Sequence, residues 1–178
     1  MARLVLSIGR RAAGPIAALA ALGALLSASG CSEQPSTAEA RRAVGVYAPI
    51  LRWFAAVEPQ EDHDPPVLFV TAAEGSSPLD LEVQAGLLSD VDDAADLRFV
   101  DEAEEAFDMD TGEIREDAIL LVELGPVPTQ GSRVEIDAVA SHRPGNGAPL
   151  RFLVVEHVDD EWELVAEPER TPGEGAAP

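Results

Sequence analysis

The chain has 178 residues, with 33 acidic against 12 basic side chains, and every basic one is an arginine. A net charge of −21 repels phosphate backbones and anionic headgroups, which argues against nucleic acid as a partner and leaves cations or a basic protein surface open. The one cysteine, Cys31, excludes a disulfide within the chain, so the fold must stand on its apolar core.

The N-terminus has the layout of a secretory signal. Arg3, Arg10 and Arg11 precede residues 12–26, which carry no charge, and small residues follow as Ser27-Ala28-Ser29-Gly30 before Cys31. Fifteen apolar residues containing Gly14, Pro15 and Gly23 are too short for the roughly 20 that a spanning helix needs. The arginines, with no acid in the first 30 residues, hold the N-terminus on the cytoplasmic side and export everything after Cys31. Arg10-Arg11 lacks the remaining residues of a twin-arginine signal.

Ala28-Ser29-Gly30-Cys31 resembles the lipobox of bacterial lipoproteins, in which the thiol receives a diacylglyceryl group and the peptide is cut before it. Ala28 stands where that motif prefers leucine. An ordinary signal cut near Ala28 or Gly30, and an uncleaved N-terminal anchor, are the rival readings. Two or three acyl chains of the palmitate class on one cysteine hold a protein durably, at about 0.8 kcal/mol per buried methylene. Removal of residues 1–30 takes 3 of the 12 arginines and none of the 33 acids, leaving a mature net charge of −24.

The 148 residues from Cys31 fit one domain. Residues 31–36 form a tether, which at six residues reaches about 20 Å at most. Ser36 and Glu39 fit a capping box, and Ala40, Val44, Tyr47, Leu51 and Phe54 recur at helical spacing, which predicts a helix over residues 37–57. Pro49 lies inside and is expected to bend or divide it. Residues 67–71 read as a buried strand. Ser76-Ser77-Pro78 reads as the start of a second helix carrying Leu79, Val83, Leu87 and Val91. Residues 97–100 form another short strand, able to pair in parallel with the first. Residues 101–107 add a helical turn that their acids make solvent-facing.

The last third alternates. Residues 118–124 are nearly continuous apolar apart from Glu123; residues 133–141, 150–158 and 162–166 show one buried and one wet face, with Pro144-Gly145-Asn146-Gly147 as a turn. The expected fold class is α+β, two main helices packed on a mostly antiparallel sheet of five to six strands, a single domain after a signal peptide. The expected divisions are a signal over 1–30, a tether over 31–36, the domain over 37–167 and a disordered tail over 168–178.

Candidate chemistry is sparse. Glu61-Asp62-His63-Asp64 groups carboxylates with an imidazole in a loop, but no second His or Cys stands at a ligand spacing, and the expectation is a solvated loop without a metal. Asp108-Met109-Asp110-Thr111-Gly112 has its glycine one place early for a calcium loop and reads as a turn. No nucleophile elbow or phosphate loop is present; His142 and His157 read as strand residues, and Trp162 as an aromatic fastening the last hairpin. No catalytic residue and no cofactor are expected; Cys31 is the one functional residue, as the lipid attachment point.

Val46-Tyr47-Ala48-Pro49-Ile50-Leu51-Arg52, Val67-Leu68-Phe69-Val70, Phe99-Val100-Asp101, Leu124-Gly125-Pro126 and the final hairpin to Val165, together with the lipobox, resemble a group of uncharacterised lipoproteins of high-GC Gram-positive (actinobacterial) bacteria. The chain departs from that pattern at Pro49 and Asp160. The resemblance implies fold and location only, with a lipid anchor on the outer face of the cell membrane. The expected role is a non-enzymatic binding or accessory domain whose acidic surface meets a basic envelope protein or cations. The alternatives are a hydrolase using Asp62 or Glu123 with His63, and a weak divalent-cation binder.

Overall fold

Helix α1 (Thr37–Val57) opens the computed structural model, which describes residues 37–58, 64–115, 118–157 and 161–171. Its stripe of Ala40, Val44, Tyr47, Leu51 and Phe54 is buried as the spacing demands, and Val46, Ile50 and Ala55 widen it. The helix runs through Pro49 as one 21-residue element and is not divided there. The signal, the tether and the 61–63 loop residues lie outside the described residues.

Strand β1 (Val67–Ala72) follows, then α2 (Leu81–Asp90), β2 (Asp96–Phe99), β3 (Leu120–Leu124), β4 (Arg133–Ser141), β5 (Ala148–Glu156), β6 (Trp162–Leu164) and β7 (Glu169–Arg170). The sheet order is β2-β1-β3-β4-β5-β6, with β7 also paired to β5. β1 pairs in parallel with both β2 and β3; the remaining pairings, β3 with β4, β4 with β5, and β5 with β6 and β7, are antiparallel. The fold is α+β, with two helices on a mixed sheet of six strands and a seventh short one.

The parallel part explains the unbroken apolar run of β1. Its residues 67–71 are all buried because both faces of a parallel strand are covered. Leu68 and Val70 face the helices with Leu120 and Val122. Val67 and Phe69 face the other way, against Ala106, Phe107, Ala118 and Leu121. β4 instead alternates, Val134, Ile136 and Ala138 buried between exposed Arg133, Glu135 and Asp137. Phe54, Trp53 and Phe152 meet edge to face, with centroids 5.1–5.4 Å apart.

Three expectations need correction. Helix α2 begins at Leu81 with Asp80 as its N-cap, not at Pro78: Leu79 is drawn onto the core, and the Gln84 side-chain amide donates to the Leu79 carbonyl at 2.7 Å, which fixes the loop ahead of the helix. The turn at Ala103–Ala106 exposes its glutamates but is not simply solvent-facing, because Ala106 and Phe107 anchor the smaller core. The expected tail from 168 contributes β7, whose Glu169 and Arg170 pair with Arg151 and Leu150.

Candidate functional site

Strand β1 sits between two parallel neighbours, and its chain leaves toward β2 while the next neighbour, β3, leaves toward β4. Loops that diverge from the carboxyl ends of adjacent strands leave a crevice outside the sheet, the usual place for a ligand in sheets of this kind. A crevice of about 260 Å³ lies there. One wall is the first half of α1, with Ala40, Ala43 and Tyr47; another is the β1–α2 loop with Pro78 and Leu79; the third is the β3–β4 loop with Pro126 and Val127.

Two side chains of α1 hold the third wall. Arg42 Nε donates to the Pro128 carbonyl at 2.8 Å and an Arg42 terminal nitrogen donates to the Gly131 carbonyl at 2.6 Å. Tyr47 donates its hydroxyl to the Gly125 carbonyl at 2.8 Å. Burial disfavours the phenolate, which pushes the Tyr47 pKa up to about 12. Gly125 is required at this bend: a Cβ there would stand 2.6 Å from the Asp137 carbonyl oxygen. The polar groups of Arg42 and Tyr47 are thus occupied in shaping the crevice, and what its walls offer a ligand is chiefly apolar.

Beyond the β1–α2 loop lies an acidic cavity of about 430 Å³, which shares Ala72, Ser76 and Pro78 with the crevice. Glu74, Asp101, Glu104 and Glu123 line it. Partial burial raises the Glu123 pKa, and the neighbouring Glu104 and Glu74 charges raise it further. Among the described residues, no three His, Cys, Asp or Glu side chains are placed to hold a metal ion.

Cys31, Glu61, Asp62 and His63 lie outside the described residues; Asp64 is exposed. The Asp108 carboxylate accepts the Asp110 and Thr111 backbone N–H groups at 2.9 and 3.2 Å, which lowers its pKa. A backbone turn, closed by Gly112 N–H on the Asp108 carbonyl at 2.7 Å, accounts for this motif. His142 Nδ1 lies 3.0 Å from the Ile119 carbonyl oxygen. His157 Nε2 lies 3.0 Å from a Glu163 carboxylate oxygen on the surface. Trp162 is half-buried and packs on α1.

The sequence reading missed the crevice. Tyr47 and Arg42 lie in a helical pattern that announces a buried face and nothing of the loop, 78 to 89 residues away, that they bind. Comparisons with protein-family models, with curated proteins and with solved structures find no match to this chain. Among the described residues no helix is long and apolar enough to cross a membrane.

Proposed function

We propose that the chain is an exported protein held at the outer face of the cell membrane by a lipid on Cys31, and that its domain works there as a binding module. The location rests on the sequence: the charge-free segment after Arg10 and Arg11, and the lipobox-like Ala28-Ser29-Gly30-Cys31. The mode of action rests on one observation, the crevice at the carboxyl ends of β1 and β3, whose Arg42 and Tyr47 are occupied by loop carbonyls while the rest of the lining is mainly apolar. Such a recess selects by shape and apolar contact. Five residues lie between Cys31 and Thr37, and the chain from one to the other spans about 20 Å at most when fully extended.

A neutral apolar dye such as Nile red, titrated into the full chain carrying Cys31→Ser, tests the binding role. Saturable binding of one dye per chain, lost in Ala43→Phe at unchanged thermal stability, is expected. Equal binding by the filled variant contradicts the assignment.

A further inference from the structure

Asn146 is the chain's one asparagine, and it stands between two glycines. The fold requires both. Arg143-Pro144-Gly145-Asn146 is a turn closed by the Asn146 N–H on the Arg143 carbonyl at 3.1 Å. Proline presets the second position of that turn, and Gly145 takes a φ of +68° at the third, the type II pattern that favours glycine there. Gly147 lies one residue beyond the Ala140–Ala148 pair that begins β5. A Cβ on Gly147 would stand 2.8 Å from Ser141 Oγ and closer still to a Val139 methyl. Packing thus holds a glycine directly after the asparagine, and glycine is the residue least able to shield its own nitrogen.

That nitrogen is also unengaged. Along β5 the even-numbered residues bond toward β4, as the Glu156 N–H does to the Ser132 carbonyl. The odd-numbered ones face β6 and β7, as the Leu153 and Pro149 carbonyls do in accepting from Val165 and Thr171. Gly147 is the next odd-numbered residue past Pro149, and among the described residues its N–H makes no hydrogen bond. Residues 142–148 are all exposed, so water reaches the Asn146 amide. The other side-chain amides belong to Gln34, Gln60, Gln84 and Gln130, which would have to close a larger and slower-forming ring.

We infer that Asn146-Gly147 is a self-modifying site of the folded protein, at which the asparagine converts to aspartate and isoaspartate. The Gly147 nitrogen attacks the Asn146 side-chain carbonyl carbon and forms an N–Cγ bond. The Cγ–Nδ2 bond breaks, and ammonia leaves with the proton that Gly147 gives up. Water then opens the cyclic imide, its hydroxyl going to the new carboxyl and its remaining proton to the nitrogen. Nothing is oxidised or reduced: amide and water become carboxylic acid and ammonia. Opening at the side-chain carbonyl gives aspartate, and opening at the main-chain carbonyl gives isoaspartate, which lengthens the turn by one backbone carbon. Either product adds a negative charge to a turn whose Gly145 lines the acidic cavity with Glu74, Asp101, Glu104 and Glu123. The reaction needs neither the lipid nor the crevice, so it stands or falls apart from the proposed function.

The test is incubation of the full chain carrying Cys31→Ser in mildly alkaline buffer, which favours the attacking, deprotonated nitrogen. Isoelectric focusing follows the charge, and peptide mapping separates aspartate from isoaspartate at residue 146. The same chain unfolded in guanidinium chloride and a folded Asn146→Ser variant, its fold verified by a thermal melt, are run beside it. Expected is a more acidic band carrying both products at residue 146, formed in the folded chain within tenfold of the unfolded rate and at least tenfold more slowly in Asn146→Ser. A folded rate more than tenfold below the unfolded one overturns the proposal, because the hairpin then holds the nitrogen away from the amide. An acidic band that forms equally fast in Asn146→Ser overturns it too, because the amide lost is then another.

Discussion

The Trp162 indole lies against the backbone of α1 at Gly45, so closely that a Cβ there would stand 2.5 Å from Trp162 Cδ1. The guanidinium carbon of Arg42, one turn earlier, sits 4.8 Å from the indole centroid, within cation–π range. The short edge strand β6 is thereby pinned to the helix that also walls the crevice. Gly45→Ala gains up to about 1 kcal/mol of helix propensity but forces the indole aside, at a cost of about 1–3 kcal/mol for overpacking. We predict net destabilisation in urea unfolding, with quenching of the Trp162 environment followed by fluorescence; a more stable variant contradicts this packing.

Arg42 joins two functions, its stacking on Trp162 and its bonds to the Pro128 and Gly131 carbonyls. Lysine has no fork and reaches one carbonyl at best. Arg42→Lys is expected to lose about 1–2 kcal/mol, the scale of one charge-assisted hydrogen bond, and to loosen the β3–β4 loop. Faster amide exchange confined to residues around 128–131 is the readout. Unchanged exchange there contradicts the clamp.

Tyr47 is the chain's one tyrosine, so its phenolate absorbance is read without overlap from another. Its pKa is pushed up from 10.0 to about 12 by burial. Between those values the unfolded chain has released the proton and the folded chain has not. Stability conferred by the protonated, buried hydroxyl is therefore full below pH 10 and falls as pH rises toward 12, by about 3 kcal/mol in all at 1.36 kcal/mol per unit. Tyr47→Phe should remove this slope and cost about 1 kcal/mol at pH 7 by leaving the Gly125 carbonyl without its donor. Native titration of the phenolate near 10 contradicts it.

Glu123 gives the opposite kind of substitution. Its carboxyl is raised by desolvation and by Glu104 and Glu74, so folding favours the protonated form. Its contribution is most favourable below the ordinary glutamate range and is lost as pH rises through the raised value. Glu123→Gln should therefore stabilise the protein near pH 7, by no more than about 0.5 kcal/mol because the half-exposed carboxyl is screened by solvent, and by less at pH 4. Thermal melts at both pH values check it; destabilisation at pH 7 contradicts the acidic crowding.

Much of the fold was legible in the sequence because its elements follow strong local periodicities. The α1 stripe of Ala40, Val44, Tyr47, Leu51 and Phe54, with Ser36 and Glu39 marking its start and Glu58-Pro59 its end, gave the helix as observed, and the alternation in residues 133–141 gave β4. The parallel pairing of β1 with β2 was foreseen from two short apolar runs joined by a helix. What escaped depended on distant partners. Pro78 is a good first helical residue, yet the pull of Leu79 to the core delays α2 to Leu81. Phe107 lies among acids and still forms a core, because Phe69 and Leu121 wait across the sheet. The crevice needs three segments to converge, and Arg42 and Pro128 carry no sequence signal of their meeting.

The central claim is that Cys31 carries the lipid that fixes the domain at the membrane, and the most direct test is intact mass with membrane partitioning of the exported protein, wild type against Cys31→Ser. The account predicts a wild type cut before Cys31, heavier by a diacylglyceryl group and recovered with the membrane, and a soluble Cys31→Ser protein. A wild type that is soluble and unmodified at Cys31 contradicts it.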